Sequence, residues 1–143
     1  MDINKLKCTH LLKSVPVRIS DSEILNLLHT NEINGEYIEA IKEITDLKDE
    51  VISVWLNISV RSIRSYRQSN SRLKENLKEQ VIVLLSLIKH GIQVFGTKDG
   101  FDQWLTTGNF FLDDKTPVTF LNTVSGIRFI DDRLSAMEYG DNV

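Results

Sequence analysis

The chain is predicted to be all-α: an N-terminal helix-turn-helix unit joined through one long helix to a small helical unit at the C-terminus. Three observations predict it. The apolar residues Leu73, Leu77, Val81, Leu84, Ile88, Ile92 and Phe95 step by three and four over many turns, the period of one helical face. Helix start signals recur along the chain: Ser20 with Glu23, Ser59 before Val60, and Thr116 before Pro117. Only two prolines and seven glycines in 143 residues leave little room for long loops. Residues 1–70 form the N-terminal region, with its helix-turn-helix at about 47–68. Residues 71–143 hold the long helix and the C-terminal unit.

Met1 to Val17 has weak periodicity and contains Pro16, which reads as a short strand or loose arm. Ser20 and Glu23 make a capping box, and Ile24, Leu27 and Leu28 give a short amphipathic helix after it. Asn34-Gly35 is a turn signal opening a helix with Tyr37, Ile38, Ile41 and Ile44 on one face, ending near Thr45. In LKDEVISVWLNISVRSIRSYRQ, Val51, Val54, Trp55 and Ile58 recur at helical spacing. Asn57 tolerates the left-handed conformation, and Ser59 caps a second helix from Val60. Val60 and Ile63 are expected to face the first helix. Arg61, Arg64 and Gln68 fall on the opposite stripe, with Ser62 and Ser65 beside it. An arginine fork matches guanine O6/N7, glutamine matches adenine N6/N7, and small serines let backbone approach phosphates at a helix N-terminus. The stretch resembles the helix-turn-helix of DNA-binding regulators, whose second helix enters the major groove. Ser59, Arg61, Ser62, Arg64, Ser65, Arg67 and Gln68 are therefore candidate DNA contacts. The alternative is that the arginines only solubilise a core helix.

From Ser71 to Phe95 one long helix is expected, and Ile82, Val83, Leu85 and Leu87 widen its apolar stripe until it is enclosed on most sides. His90 is expected to cap carbonyls near its end, with Gly91 and Gly96 marking its weakening and termination. A short helix from Thr97 or Lys98 carries Phe101, Trp104 and Leu105 and stops by Gly108-Asn109. Val118, Phe120 and Leu121 make a small helix after Pro117. The last helix, from about Val124, is expected to bury Ile127, Ile130, Leu134 and Met137 and to turn Arg128, Asp131, Asp132 and Ser135 away from the core. Phe101, Trp104, Phe110 and Phe111 together are more apolar surface than two turns can hide, so a partner surface or a helical neighbour is implied.

Composition excludes several classes of function. With 41% hydrophobic and 26% charged residues the chain is ordinary for a soluble globular protein. Its longest apolar run, Val81 to Ile88, is broken by Ser86 and is far short of the roughly 20 residues that span a bilayer. No signal-type start is read, and the single Cys8 cannot make an internal disulfide, which suits a reducing cytoplasm. His10, His29 and His90 are too scattered for a metal site, so no metal and no cofactor is expected. No nucleophile has a positioned base. The pairs Asp113-Asp114 and Asp131-Asp132 diverge by about 100° on a helix, and no glycine loop cradles phosphate; a non-enzymatic role follows. Charge is uneven within the net −3. Ser59 to Lys74 carries Arg61, Arg64, Arg67, Arg72 and Lys74 against no acid, whereas Thr97 to Val143 has eight acids against four bases. A basic middle and an acidic tail suggest two partners of opposite sign.

Phe101, Trp104-Leu105, Asn109, Leu112, Thr116-Pro117, Leu121, Gly126, Leu134 and Tyr139-Gly140, in this order and spacing, resemble the toxin-binding domain of the Xre/MbcA/ParS antitoxins over roughly residues 75 to 140. Two departures stand out. Asp113 and Asp114 occupy the place of a usual glycine pair, leaving a tight turn without the residue that adopts it freely. Met137 stands where a basic residue is usual. The resemblance implies the antitoxin of a type II toxin–antitoxin pair, whose toxin would be a RES-type protein that consumes NAD. The C-terminal unit would cover the toxin's active site, and the helix-turn-helix would bind operator DNA as a homodimer and repress transcription. It implies Trp104, Asn109, Arg128, Asp131, Arg133, Tyr139, Gly140 and Asp141 as candidate toxin contacts, the last three on a polar tail free to enter a cleft. The other reading of the residues is a stand-alone transcriptional regulator whose C-terminal unit only dimerises.

Overall fold

The chain winds around one helix, Glu75–Phe95, in which every residue from Val81 to Ile88 is buried. The computed structural model describes residues 8–140. Before this helix come α1 (Thr9–Ser14), α2 (Asp21–Thr30), α3 (Gly35–Thr45), α4 (Asp49–Leu56) and α5 (Val60–Ser69). The central helix is α6, followed by α7 (Lys98–Leu105), 3₁₀ turns at Phe110–Leu112 and Pro117–Phe120, and α8 (Val124–Glu138). A helix apolar on every side must be covered on every side, and α2, α3, α4, α7 and α8 all pack against α6. The one polar residue in its apolar run is satisfied internally: Ser86 Oγ donates to Pro16 O (2.7 Å) and accepts from the Ile19 amide (3.0 Å). One hydrophobic cluster, from Leu11 to Leu134, therefore runs through both parts of the chain. Among the described residues, no single helix is long and apolar enough to cross a membrane.

Caps set most boundaries. The Ser20/Glu23 box opens α2, Asn34 accepts from Glu36 N at the start of α3, Thr97 from Gly100 N at α7, and Thr123 from Gly126 N at α8. Asn57 takes the left-handed conformation (φ 55°, ψ 39°) between α4 and α5, and Ser59 Oγ accepts from Ser62 N at 3.0 Å. Two helices joined by a tight turn, α4 and α5, thus lie within residues 47–69. The turn is also tied to the far end of the chain. Asn57 Nδ2 donates to Asn122 O (2.9 Å), and Gln80 Nε2 to Trp55 O (2.7 Å).

Several expectations need correction. The opening stretch is neither strand nor loose arm over its described part: residues 9–14 form α1, with Leu11, Leu12 and Val15 buried. Its C-terminal carbonyls at Leu12 and Val15 accept from Lys89 Nζ on α6, a cap supplied from far along the chain. Residues 1–7 lie outside the described residues. The long helix starts at Glu75 rather than Ser71, because residues 71–73 run extended against Ile33 to Gly35, with an Asn34–Arg72 bridge and a Leu73 N–H to Ile33 O bond of 3.0 Å. In α4 the inward residues are Ile52, Trp55 and Leu56, while Val54 is exposed. α7 ends at Leu105, before Gly108, and Val118 to Leu121 is a 3₁₀ turn from which Leu121 reaches the core.

Candidate functional site

Two surfaces carry the candidate residues. On α5, Arg61, Arg64, Ser65 and Gln68 are exposed and, with Ser69, line one shallow concavity. Ser62 is half-buried and lines the next concavity along, with Ser65, Tyr66 and Lys74. Ser59 is spent on the cap of α5. Arg67 points the other way: Nε lies 2.6 Å from Glu39 Oε2 and Nη1 2.9 Å from Asp49 Oδ1. The Glu39 hydrogen bond, with the charges of Glu39 and Asp49, holds its guanidinium still more firmly protonated. The stripe that faces solvent is Arg61, Arg64 and Gln68.

Asp49, buried at the start of α4, anchors the basic helix. It accepts from Lys42 Nζ (2.7 Å) and Arg67 Nη1, and Arg64 Nε stands 3.5 Å away. The Lys42 hydrogen bond, then the charges of Arg67, Lys42 and Arg64, hold its carboxyl below the usual carboxylate range against the opposing effect of burial. A depressed folded pKa means stability that is in place above the unfolded value, about 3.9, and lost as pH falls through the folded one. Thermal melts of the wild type and Asp49→Asn are therefore expected to lie well apart at pH 7 and to converge as the solution is acidified below pH of about 4. A gap independent of pH would refute the assignment.

The second surface is made by α7, the loop after it and α8. Asn109 is buried and organises the loop: its side chain accepts from Phe111 N (2.9 Å), its carbonyl from Leu112 and Asp114 amides, and its own amide donates to Lys115 O. Asp113 and Asp114 both take left-handed φ, 54° and 63°, so the tight turn forms without glycine, on residues whose short polar side chains tolerate that region. The aromatics divide. Phe101 is buried and Trp104 half-buried, both ringed with Phe95 at centroid distances of 5.7 to 6.3 Å. Phe110 is 82% exposed and meets Phe111 edge-on at 5.6 Å. Arg133 lies over the Phe111 ring at 4.4 Å, one turn along α8 from Phe129, which is itself half-exposed and 5.4 Å from Phe120. This strip of aromatic faces around an arginine has the composition of an interface centre.

The outward face of α8 is not the one expected. Arg128 donates to Ile19 O (2.7 Å) and pairs with Asp21 (2.8 Å); Asp131 pairs with His90 (2.7 Å) and Arg18 (3.4 Å); Ser135 is buried and accepts from Arg18. Segment 15–21 covers that flank. His90 caps no carbonyl: its ring sits between the carboxylates of Asp131 and Glu138. Tyr139, 88% exposed, and Gly140 (φ 98°) leave the helix end, while Asp141 lies outside the described residues. Of the candidates for partner contact, Arg133, Tyr139 and Gly140 are placed outward or beside the strip, Trp104 sits half-covered against Phe95 and Phe101, Asn109 is buried, and the half-buried Arg128 and Asp131 are engaged by Asp21, Arg18 and His90. Phe129 was missed. Two residues on from Ile127 it is rotated by about 200° on the helix, an aromatic on a face where only polar residues were expected, and that mismatch was the available signal.

Residues 90–140 match the family model of the antitoxin Xre/MbcA/ParS C-terminal toxin-binding domain, as the Trp104, Thr116-Pro117 and Tyr139-Gly140 spacing implied. Among solved structures the chain is similar in fold to one in the M. tuberculosis MbcT-MbcA toxin–antitoxin complex, with a TM-score of 0.63 at 17% identity over 76% of this chain and 96% of that one. No curated protein matches the chain.

Proposed function

We propose that this chain, whose residues 90–140 match an antitoxin's toxin-binding domain, is the antitoxin of a cytoplasmic type II toxin–antitoxin pair whose toxin is of the RES, NAD-consuming type. One observation carries the reading: the matched segment contains Phe110, Phe111 and Phe129, the exposed aromatics gathered beside Arg133. Apolar surface of that kind on a small protein marks a contact site. Neutralisation is steric. The strip docks on the toxin, and the tail from Tyr139 enters the pocket and keeps substrate out. No chemistry is required of the antitoxin. Deleting residues 139–143 is expected to abolish rescue of cells that express the toxin, and undiminished rescue would refute tail insertion.

The same protein, as a homodimer, binds operator DNA through α5 and represses transcription. The outward Arg61, Arg64 and Gln68, with Ser62 at the capped helix start, support this. Arg67 is held by short pairs with Glu39 and Asp49 and contributes little, whereas Arg64, 58% exposed, has only the longer pairs with Asp49 (3.5 Å) and Glu50 (3.7 Å) to exchange for DNA. Arg64→Ala is expected to weaken binding to the protein's own upstream DNA by about 1–3 kcal/mol if it reads a base, or to lower the salt slope by roughly one if it contacts a phosphate. A gel shift unchanged in both respects would remove Arg64 from the interface.

A further inference from the structure

The last turn of α8 has no basic side chain to bond its open carbonyls, and helix ends without such partners fray. It is held from outside instead. His90, on α6 and 1% exposed, places Nδ1 2.7 Å from Asp131 Oδ1 and Nε2 2.5 Å from Glu138 Oε1. Asp131 is also engaged by Arg18, which pairs with Asp132 as well. Glu138, at the helix's final position, is reached by His90. Directly after it, the Tyr139 and Gly140 amides donate to Ser135 O (3.2 Å) and Met137 O (3.1 Å), and the exposed phenol of Tyr139 leaves the surface.

We infer that His90 is a positioning residue for the toxin-facing end of α8: by bonding Glu138 it keeps the last turn wound, so that Tyr139 and Gly140 depart in one direction before the toxin arrives. The inference rests on the reading that this end contacts a toxin. Ordering carried out in the free protein is not charged again on binding, so loosening the latch lowers affinity without removing any contact to the toxin. A residue buried in the central helix thereby acts on an interface it does not touch.

The test uses the full chain. Glu138→Ala removes the carboxylate yet favours helix, whereas Glu138→Gln keeps an oxygen for the ring N–H. In hydrogen exchange, Glu138→Ala is expected to speed exchange of the Tyr139 and Gly140 amides by about tenfold, the size expected for losing a hydrogen bond to a charged group, with α6 unchanged. Affinity for the purified cognate toxin should fall by about tenfold as well. Glu138→Gln restores most of both. His90→Phe combined with Glu138→Ala is no weaker than His90→Phe alone, which already breaks the Glu138 link along with the one to Asp131. Unchanged exchange in Glu138→Ala overturns the latch. Equal weakness of the Ala and Gln variants, or additive losses in the double variant, overturns the positioning role in favour of direct contact by Glu138. The exchange arm needs no toxin, so its failure counts against the latch alone, while a harmless deletion of residues 139–143 counts against the tail reading alone.

Discussion

Gly35→Ala is expected to leave the protein at best marginally folded. A Cβ built on Gly35 would stand 2.0 Å from Tyr66 O and 2.7 Å from Tyr66 C, both backbone atoms. Neither side has room to retreat. Gly35 N–H donates to Ser71 O (3.1 Å) and Leu73 N–H to Ile33 O (3.0 Å), which pins the start of α3 to the strand-like segment after α5. Overpacking against fixed backbone places the loss at about 3 kcal/mol or more. Gly96→Ala serves as the comparison: its φ of 82° carries strain, but nothing lies within 4 Å of the added Cβ, so about 1 kcal/mol is expected. Urea denaturation of the two variants measures the difference, and near-equal midpoints would show that the α3–α5 approach is less constrained than its geometry.

Phe129→Asp is expected to abolish neutralisation while leaving the fold intact. The ring is half-exposed, meets Phe120 at a tilt, and projects away from the buried face that carries Ile127 and Leu134. A charge there disturbs little of the interior, replaces the ring by a carboxylate at the centre of the aromatic strip, and draws Arg133, one turn along, off the Phe111 face. Truncating a central aromatic anchor typically weakens an interface by about 2–4 kcal/mol, roughly 30- to 1000-fold. Toxin titration by calorimetry checks the affinity, and circular dichroism checks the fold. Phe129→Leu should retain much of the binding. Full rescue by Phe129→Asp would move the interface elsewhere.

What the sequence made legible is what short-range physics decides. Ser20 with Glu23 and Ser59 sit at element boundaries because their side chains bond amides three residues away, Asn57 because it takes the left-handed conformation, and α6 is visible because a helix apolar all round must be central. The orientation of α8 was not legible. Arg128, Asp131 and Ser135 look like a solvated face until segment 15–21, more than a hundred residues earlier, is laid over them. Arg67 reads as one of a row of surface arginines until Glu39 and Asp49 are found beneath it. His90 was placed at a helix end because local rules offer no other task for a lone imidazole, and its true partners lie on α8. In each case a polar side chain is engaged by a polar partner distant in the sequence. Hydrophobic periodicity carries no record of such a pairing.

The enclosure of α6 by elements from both ends of the chain bears on how the protein is lost. Strip away α7 and α8, and the wall over half of α6 goes with them; strip away α2 to α4, and the other half is laid bare. A protease that opens either end would therefore hand over the remainder as well. If the chain both represses and neutralises, as proposed, the two would lapse together when a molecule is degraded, and no half-life could be set for one without the other.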